Sequence, residues 1–251
     1  MISLFHPVRA LPVDALQGLL GAPVPIDYPE ASRSKPYHQW RMEVDDSPIF
    51  RYIYRNFAPG RHLEYGTWRG EGTCYVLEEC SATVWTLNLP FGERSDDGSK
   101  VYGSYAEELP ELKEWGSRLG FQVGNSPQTD NIPFVGYKYL LRGFGHRVAQ
   151  VFTDSREWDT THYPDGFFDS CLIDGGHTQD IVINDTMQAL RLVRSRGVIM
   201  WHDFCPDDEI VRDFATANGV VTAIRQIADL LTGFRSLHWI EPSFILLGIK
   251  A

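Results

Sequence analysis

None of the four cysteines, Cys74, Cys80, Cys171 and Cys205, forms a C-x-x-C pair or a zinc-ligand spacing. That excludes a disulfide framework and a structural zinc site and suits buried thiols in a reducing compartment. No basic run extends beyond Arg191, Arg194 and Arg196, and the formal net charge is -10, so a nucleic-acid face lacks its electrostatic basis. No segment approaches transmembrane length, and prolines interrupt residues 1–12 where a secretory signal needs an unbroken apolar core. The expectation is a cytoplasmic protein without membrane partners. No G-K-[ST] and no G-x-G-x-x-G spacing is present, which argues against a nucleoside triphosphate and ranks a nicotinamide-dependent oxidoreductase behind other readings.

What is present is the material of one globular domain: 251 residues, 43% hydrophobic and 13% aromatic. Residues 1–45 are rich in proline and carry only a short helical pattern over 13–20, so they are expected to form an arm wrapped over the domain. The aromatics of Y-H-Q-W-R-M, residues 37–42, are read as pinning that arm rather than lining a pocket. Residues 46–251 form the main domain, opening with a helix: Ser47 as N-cap, Pro48 first, an apolar face of Ile49, Tyr52, Ile53 and Phe57, and Pro59 and Gly60 as the stop.

Strand patterns then lead to Glu64 and Tyr65, to Asn88, to Asp154, to Asp174 and to the pair His202 and Asp203. Helices are expected over 179–194, with Ile183, Met187 and Leu190 on one face, and over 208–217 and 222–231. Two final apolar runs separated by Glu241 and Pro242 suit a strand pair. The pattern degrades between about 90 and 145, apart from a short polar helix near 106–119; this insertion after a strand end is either an active-site lid or disordered. Alternating strands and helices predict an α/β fold with a doubly wound, mostly parallel sheet and helices on both faces. In such sheets ligands bind beyond the carboxyl ends of the strands, which gathers the polar strand ends at one edge.

The stretch H-L-E-Y-G-T-W-R-G-E-G-T, residues 62–73, runs from a strand through a glycine-rich turn into a helix. Gly66, Gly70 and Gly72 allow the close approach of a ligand or a neighbouring backbone. Glu64 sits two residues before the first glycine, where it would repel a phosphate and attract a cation. A ligand carrying an ammonium and a sulfonium fits better than a pyrophosphate.

The E-x-G-T-x-x-G-x-G-T pattern, together with D-G-G-H at 174–177 and W-H-D at 201–203, resembles the class I S-adenosylmethionine-dependent methyltransferases over about residues 60–250. The resemblance implies a Rossmann-like fold ending in an antiparallel strand and a transferase acting on a small-molecule acceptor. It also implies that Glu64, Gly66, Thr67 and Gly70 hold the methionine part of the cofactor, with Trp68, Thr73, Asp174 and Gly175 in the same set and Asp154 and Ser155 beside the adenine. Relatives carry an acidic residue where this chain has Asn88, which would accept from the ribose more weakly.

Methyl transfer from a sulfonium needs alignment and a deprotonated nucleophile. O-methylation with His177 as general base and Asp174 beside it is therefore expected. Asp174, His202 and Asp203 are the expected ligands if a divalent metal assists, although a histidine among them departs from the oxygen set of metal-dependent relatives. A non-catalytic binding protein of the same fold is the alternative.

Overall fold

The structure, a computed structural model, describes residues 2–89 and 135–251. The helix expected near 106–119, and with it the lid or disorder reading of the insertion, lies outside the described residues. At the end of that stretch the chain is regular, with a short helix at Tyr137–Leu141.

The described strands are β1 (Arg9–Pro12), β2 (Arg61–Tyr65), β3 (Thr83–Asn88), β4 (Val148–Phe152), β5 (Phe168–Ile173), β6 (Val193–Trp201), β7 (Phe234–Glu241) and β8 (Leu246–Lys250). They form one sheet in the order β1-β7-β8-β6-β5-β2-β3-β4. β6–β5–β2–β3–β4 run parallel, and β8 is antiparallel to both β6 and β7. From β2 the chain moves outward to β3 and β4, then returns to the other side of β2 for β5 and β6. The order therefore switches between β2 and β5, where an open α/β sheet leaves its crevice.

Central parallel strands are buried on both faces. Along β5 and β6, Cys171, Ile173, Ile199 and Trp201 enter one core while Leu172, Val198 and Met200 enter the other. The first core packs the helices Gln179–Leu192 and Ala215–Gln226; the second packs Ser47–Phe57 and Glu71–Glu79. Helices thus cover both faces, as the alternating pattern predicts.

Four local expectations are corrected. The N-cap of the first long helix is Asp46, not Ser47, and its carboxylate does not cap the helix. It accepts instead from the backbone N–H of Phe244 at 3.2 Å and contacts His202.

The helix Gln179–Leu192 turns Val182, Asp185, Thr186, Ala189 and Leu192 inward, leaving Met187 47% exposed. Apolar periodicity loses here because Thr186 accepts the buried indole N–H of Trp201 at 2.8 Å and gives its own proton to the Val182 carbonyl. Ile183 and Leu190 only flank the core.

The break expected around residues 218–221 is absent, since Ala215–Gln226 is one helix. Gly219 lies inside that helix. A Cβ there would stand 1.8 Å from the His177 carbonyl oxygen, so the glycine lets the helix pack on the His177 backbone.

Finally, the proline-rich arm contributes β1, which pairs in parallel with β7 at the sheet edge. Tyr37 packs on Trp239 and Phe244, and Trp40 on Phe244, at ring distances of 5.9–6.2 Å, so these aromatics do pin the arm.

Candidate active site

Gly66 follows β2 with φ +96°, and its backbone N–H bonds the Leu87 carbonyl while the Asp174 N–H bonds Tyr65. The ends of β3, β2 and β5 are thereby locked side by side. The next turn is shaped by Trp68, a non-glycine residue at φ +41°, whose N–H donates to Asn88 Oδ1 at 2.8 Å. Asn88 Nδ2 donates to the carbonyl of the next residue, Leu89, at 2.8 Å.

Glu64 points behind the loop, not into it. Its carboxyl accepts from the Thr73 hydroxyl and from Thr86 Oγ1 at 2.6 Å. Gly72 is needed because a Cβ would stand 2.4 Å from Glu64 Oε1. Burial pushes the Glu64 pKa up to about 8, despite the hydroxyl donors, so at neutral pH this group supplies little negative charge. Thr73 and Thr86 thus hold the Glu64 carboxyl behind the loop.

A cavity of about 600 Å³ opens where these strand ends meet, within the range of small-molecule sites. Of the residues singled out by sequence, Gly66, Thr67, Trp68, Asn88, Asp154, Ser155, Asp174, Gly175, His177, His202 and Asp203 line it. Glu64, Gly70 and Thr73 do not. Gly70 instead admits Tyr139, which a Cβ would meet at 2.9 Å. Sequence reasoning missed Glu43, Phe50, Tyr75, Arg156 and Asp185, which also line the cavity.

At the β5 and β6 ends the cavity holds three titratable groups in close contact. His177 Nε2 lies 2.5 Å from Asp203 Oδ2 and 3.7 Å from Asp174 Oδ1. The backbone of Asp203 is held at φ +58°, a conformation costly for a non-glycine residue, in a turn whose carboxylate faces the imidazole. Burial alone would lower the His177 pKa, but Asp174 and Asp203 hold it up at about 10. The potential ligand atoms of Asp174, His177 and Asp203 all lie within 4.8 Å of one another. Among the described residues, His177 Nε2 and Asp203 Oδ1 are buried without an aligned hydrogen-bond partner.

His202 is not part of that group, which corrects the ligand set Asp174, His202 and Asp203. Its Nδ1 lies 2.9 Å from Asp174 Oδ1 and its Nε2 3.2 Å from Asp46 Oδ2, so both ring nitrogens are taken. Burial opposes its charge, but Asp174 and Asp46 raise its pKa well above the ordinary histidine value. Its ring is held in place from both sides. The Asp174 carboxylate, half-buried at the cavity wall, is held well below the usual range by His202 and His177.

At the β4 end Asp154 accepts from Arg156 three ways: from its backbone N–H at 2.8 Å, Nε at 3.0 Å and Nη2 at 2.6 Å. The following Ser155 carbonyl accepts from Gln188 Nε2 at 2.8 Å, and Gln188 in turn accepts from the Tyr65 hydroxyl at 3.0 Å. This bond chain folds the turn after β4 back over β2.

No helix of the described residues is long and apolar enough to cross a membrane. No curated protein matches the chain in sequence. Among solved structures it is similar to SAH-bound PaMTH1, a methyltransferase of Podospora anserina, at 14% identity and TM-score 0.50 over 98% of this chain and 91% of that one. It is also similar to cofactor-bound Rv0187 from MTB, at 16% identity and TM-score 0.50 over 96% and 99%. These likenesses concern the fold. Residues 63–204, more than half of the chain, match the sequence profile described as "Methyltransferase domain". The chain belongs to this methyltransferase-domain family and has the Rossmann-like fold of the class I S-adenosylmethionine-dependent methyltransferases.

Proposed function

We propose that the protein transfers a methyl group from S-adenosylmethionine to a hydroxyl of a small-molecule acceptor. The observation that carries this reading is one cavity in which a glycine loop at the β2–β5 switch meets an imidazole held between two carboxylates. The cofactor supplies an electrophilic methyl group, made so by its sulfonium. This chain has to bind it, align the acceptor oxygen and accommodate the acceptor's proton. Gly66, Thr67, Trp68 and Gly175 are proposed to cradle the methionine part, with Asn88 shaping the turn beside the ribose and Asp154 and Ser155 near the adenine. Phe50, stacked on Tyr75 at 6.1 Å and set edge-on to His202 at 5.3 Å, supplies an aromatic wall for the acceptor.

His177 is the group placed to hold the acceptor's proton at Nε2. Its pKa near 10 means that it carries a proton at neutral pH and must lose it before acting as a base. As the alternative to proton transfer at Nε2, a divalent cation fits the same place, since Asp174, His177 and Asp203 offer two carboxylates and an imidazole; with Nε2 on the cation, His177 would be a ligand and not the base. When bound it would act as a Lewis acid toward the hydroxyl. An imidazole in the set favours Mn2+ or a later transition ion over Mg2+.

Titration with Mn2+, followed by electron paramagnetic resonance, is expected to show one site in the wild type and none in His177→Ala. S-adenosylhomocysteine should bind both proteins within about threefold, since the lost contacts are not cofactor contacts. Methyl transfer should stop in excess EDTA and return with Mn2+. Full activity in EDTA, or Mn2+ binding unaffected by His177→Ala, would remove the cation from the account.

A further inference from the structure

Asp46 stands at the N-cap of the helix Ser47–Phe57 and is wholly buried, yet its side chain caps nothing. An Asp in this place ordinarily accepts from an N–H of the first turn. Here Oδ1 accepts instead from the Phe244 N–H at 3.2 Å, Oδ2 faces His202 Nε2 at 3.2 Å, and the Trp40 indole N–H lies close by. The carbonyl of Phe244 in turn accepts from the Phe204 N–H at 3.0 Å, so the turn between β7 and β8 ties the helix start to the loop that carries His202 and Asp203. One helical turn beyond Asp46, Phe50 meets the same imidazole edge-on at 5.3 Å. A carboxylate at such depth is kept only where it is paired, and this one is paired to a ring of the cavity wall.

With Nε2 held by Asp46, the Nδ1 of His202 is directed at Asp174 Oδ1, 2.9 Å away. The same oxygen is 3.7 Å from His177 Nε2, which lies 2.5 Å from Asp203. Asp46, His202, Asp174, His177 and Asp203 thus stand in one file that begins in the core and reaches open space at the half-buried Asp174 and His177. Asp46 does not itself line the cavity, so it acts on a bound molecule only through its neighbours. A His202 ring free to turn would leave the Asp174 carboxylate without a fixed neighbour on its buried side, and misplacement of about 1 Å is costly at a reacting centre. Resting on the reading of this cavity as a methyl-transfer site, we propose that Asp46 is a positioning residue: it orients His202, and through it sets the Asp174 carboxylate against His177.

Nuclear magnetic resonance of the imidazole nitrogens, in the full chain carrying isotope-labelled histidine, tests this. Asp46→Ala should shift the signals of both His202 and His177 and leave those of His62 on β2 and His238 on β7 in place. Asp46→Asn should return His177 to its wild-type position: its amide oxygen still accepts from Phe244, and its amide N–H donates to His202 Nε2, which leaves the ring proton on Nδ1 for Asp174. Both variants remove the charge, so the difference between them reports the hydrogen bond and not the field of a carboxylate. If the Ala variant does not fold, as judged by circular dichroism, Asp46→Leu, which fills the space without a partner for Nε2, takes its place. A His177 signal that stays in place in the Ala variant, that moves as far in the Asn variant, or that moves together with His62 would make Asp46 a structural carboxylate and overturn the proposal. S-adenosylhomocysteine should bind wild type and Asp46→Ala alike, since Asp46 is not in the cavity wall. A wild type that does not bind it would overturn the methyl-transfer reading, whereas the ring signals judge the positioning of Asp174 by themselves.

Discussion

Asp174→Ala is expected to lower kcat/KM for methyl transfer by at least about a thousandfold, the scale seen when a charge-stabilising group is removed from a reacting centre. The carboxylate lies between both imidazoles, 2.9 Å from His202 and 3.7 Å from His177. Removing it leaves His202 buried with Asp46 alone and His177 with Asp203 alone. Removing one partner of a partly buried ion pair is destabilising, so the variant should also melt earlier. Asp174→Asn separates the two effects: it keeps the shape and a hydrogen bond to His202 but not the charge. Its melting temperature should fall less than that of the Ala variant while its rate falls nearly as far. An Asp174→Asn enzyme within tenfold of wild type would place the reacting centre elsewhere.

Gly66→Val should prevent accumulation of folded protein or lower its melting temperature by more than 10 °C. At φ +96° any side chain is strained, and its Cβ would stand 2.0 Å from the Asp174 carbonyl oxygen. The glycine loop suggested that this position must admit a ligand. In the fold the closer demand is backbone against backbone at the β2–β5 switch, so loss of cofactor binding in this variant says little by itself about the cofactor. Gly175 provides the contrast, because a Cβ there meets its neighbours at 3.4–3.6 Å, ordinary contact distances. Gly175→Ala should fold with a melting temperature close to wild type. Equal thermal stability for Gly66→Val and wild type, measured by circular dichroism, would contradict the geometry.

The elements that sequence made legible are those whose pattern is local. Polar residues closing apolar runs marked the ends of β2, β3, β5 and β6, and the glycine loop marked the crevice. The two final runs around Glu241 and Pro242 were readable as a strand pair from their composition.

What stayed hidden depends on contacts between distant residues. Asp46 stands at a helix start and reads as part of a cap, yet its carboxylate belongs to His202, 156 residues away. Because Asp46 and Asp174 occupy both His202 nitrogens, His177 joins the carboxylate group in its place, and no spacing rule could choose between the two histidines. β1 is four residues long, includes Pro12 and finds its partner at the far end of the chain, so it carries no alternation to detect. Asp185 and Thr186 break the helical stripe because one faces a cavity and the other a buried indole, the places where periodicity is expected to fail.

The central claim is that the cavity at the β2–β5 switch binds S-adenosylmethionine. Calorimetric titration of the wild-type chain with S-adenosylmethionine, and separately with NAD, tests it most directly. Saturable one-to-one binding of S-adenosylmethionine and no saturable heat with NAD are expected. Saturable NAD binding, or no binding of S-adenosylmethionine at millimolar concentration, would contradict it.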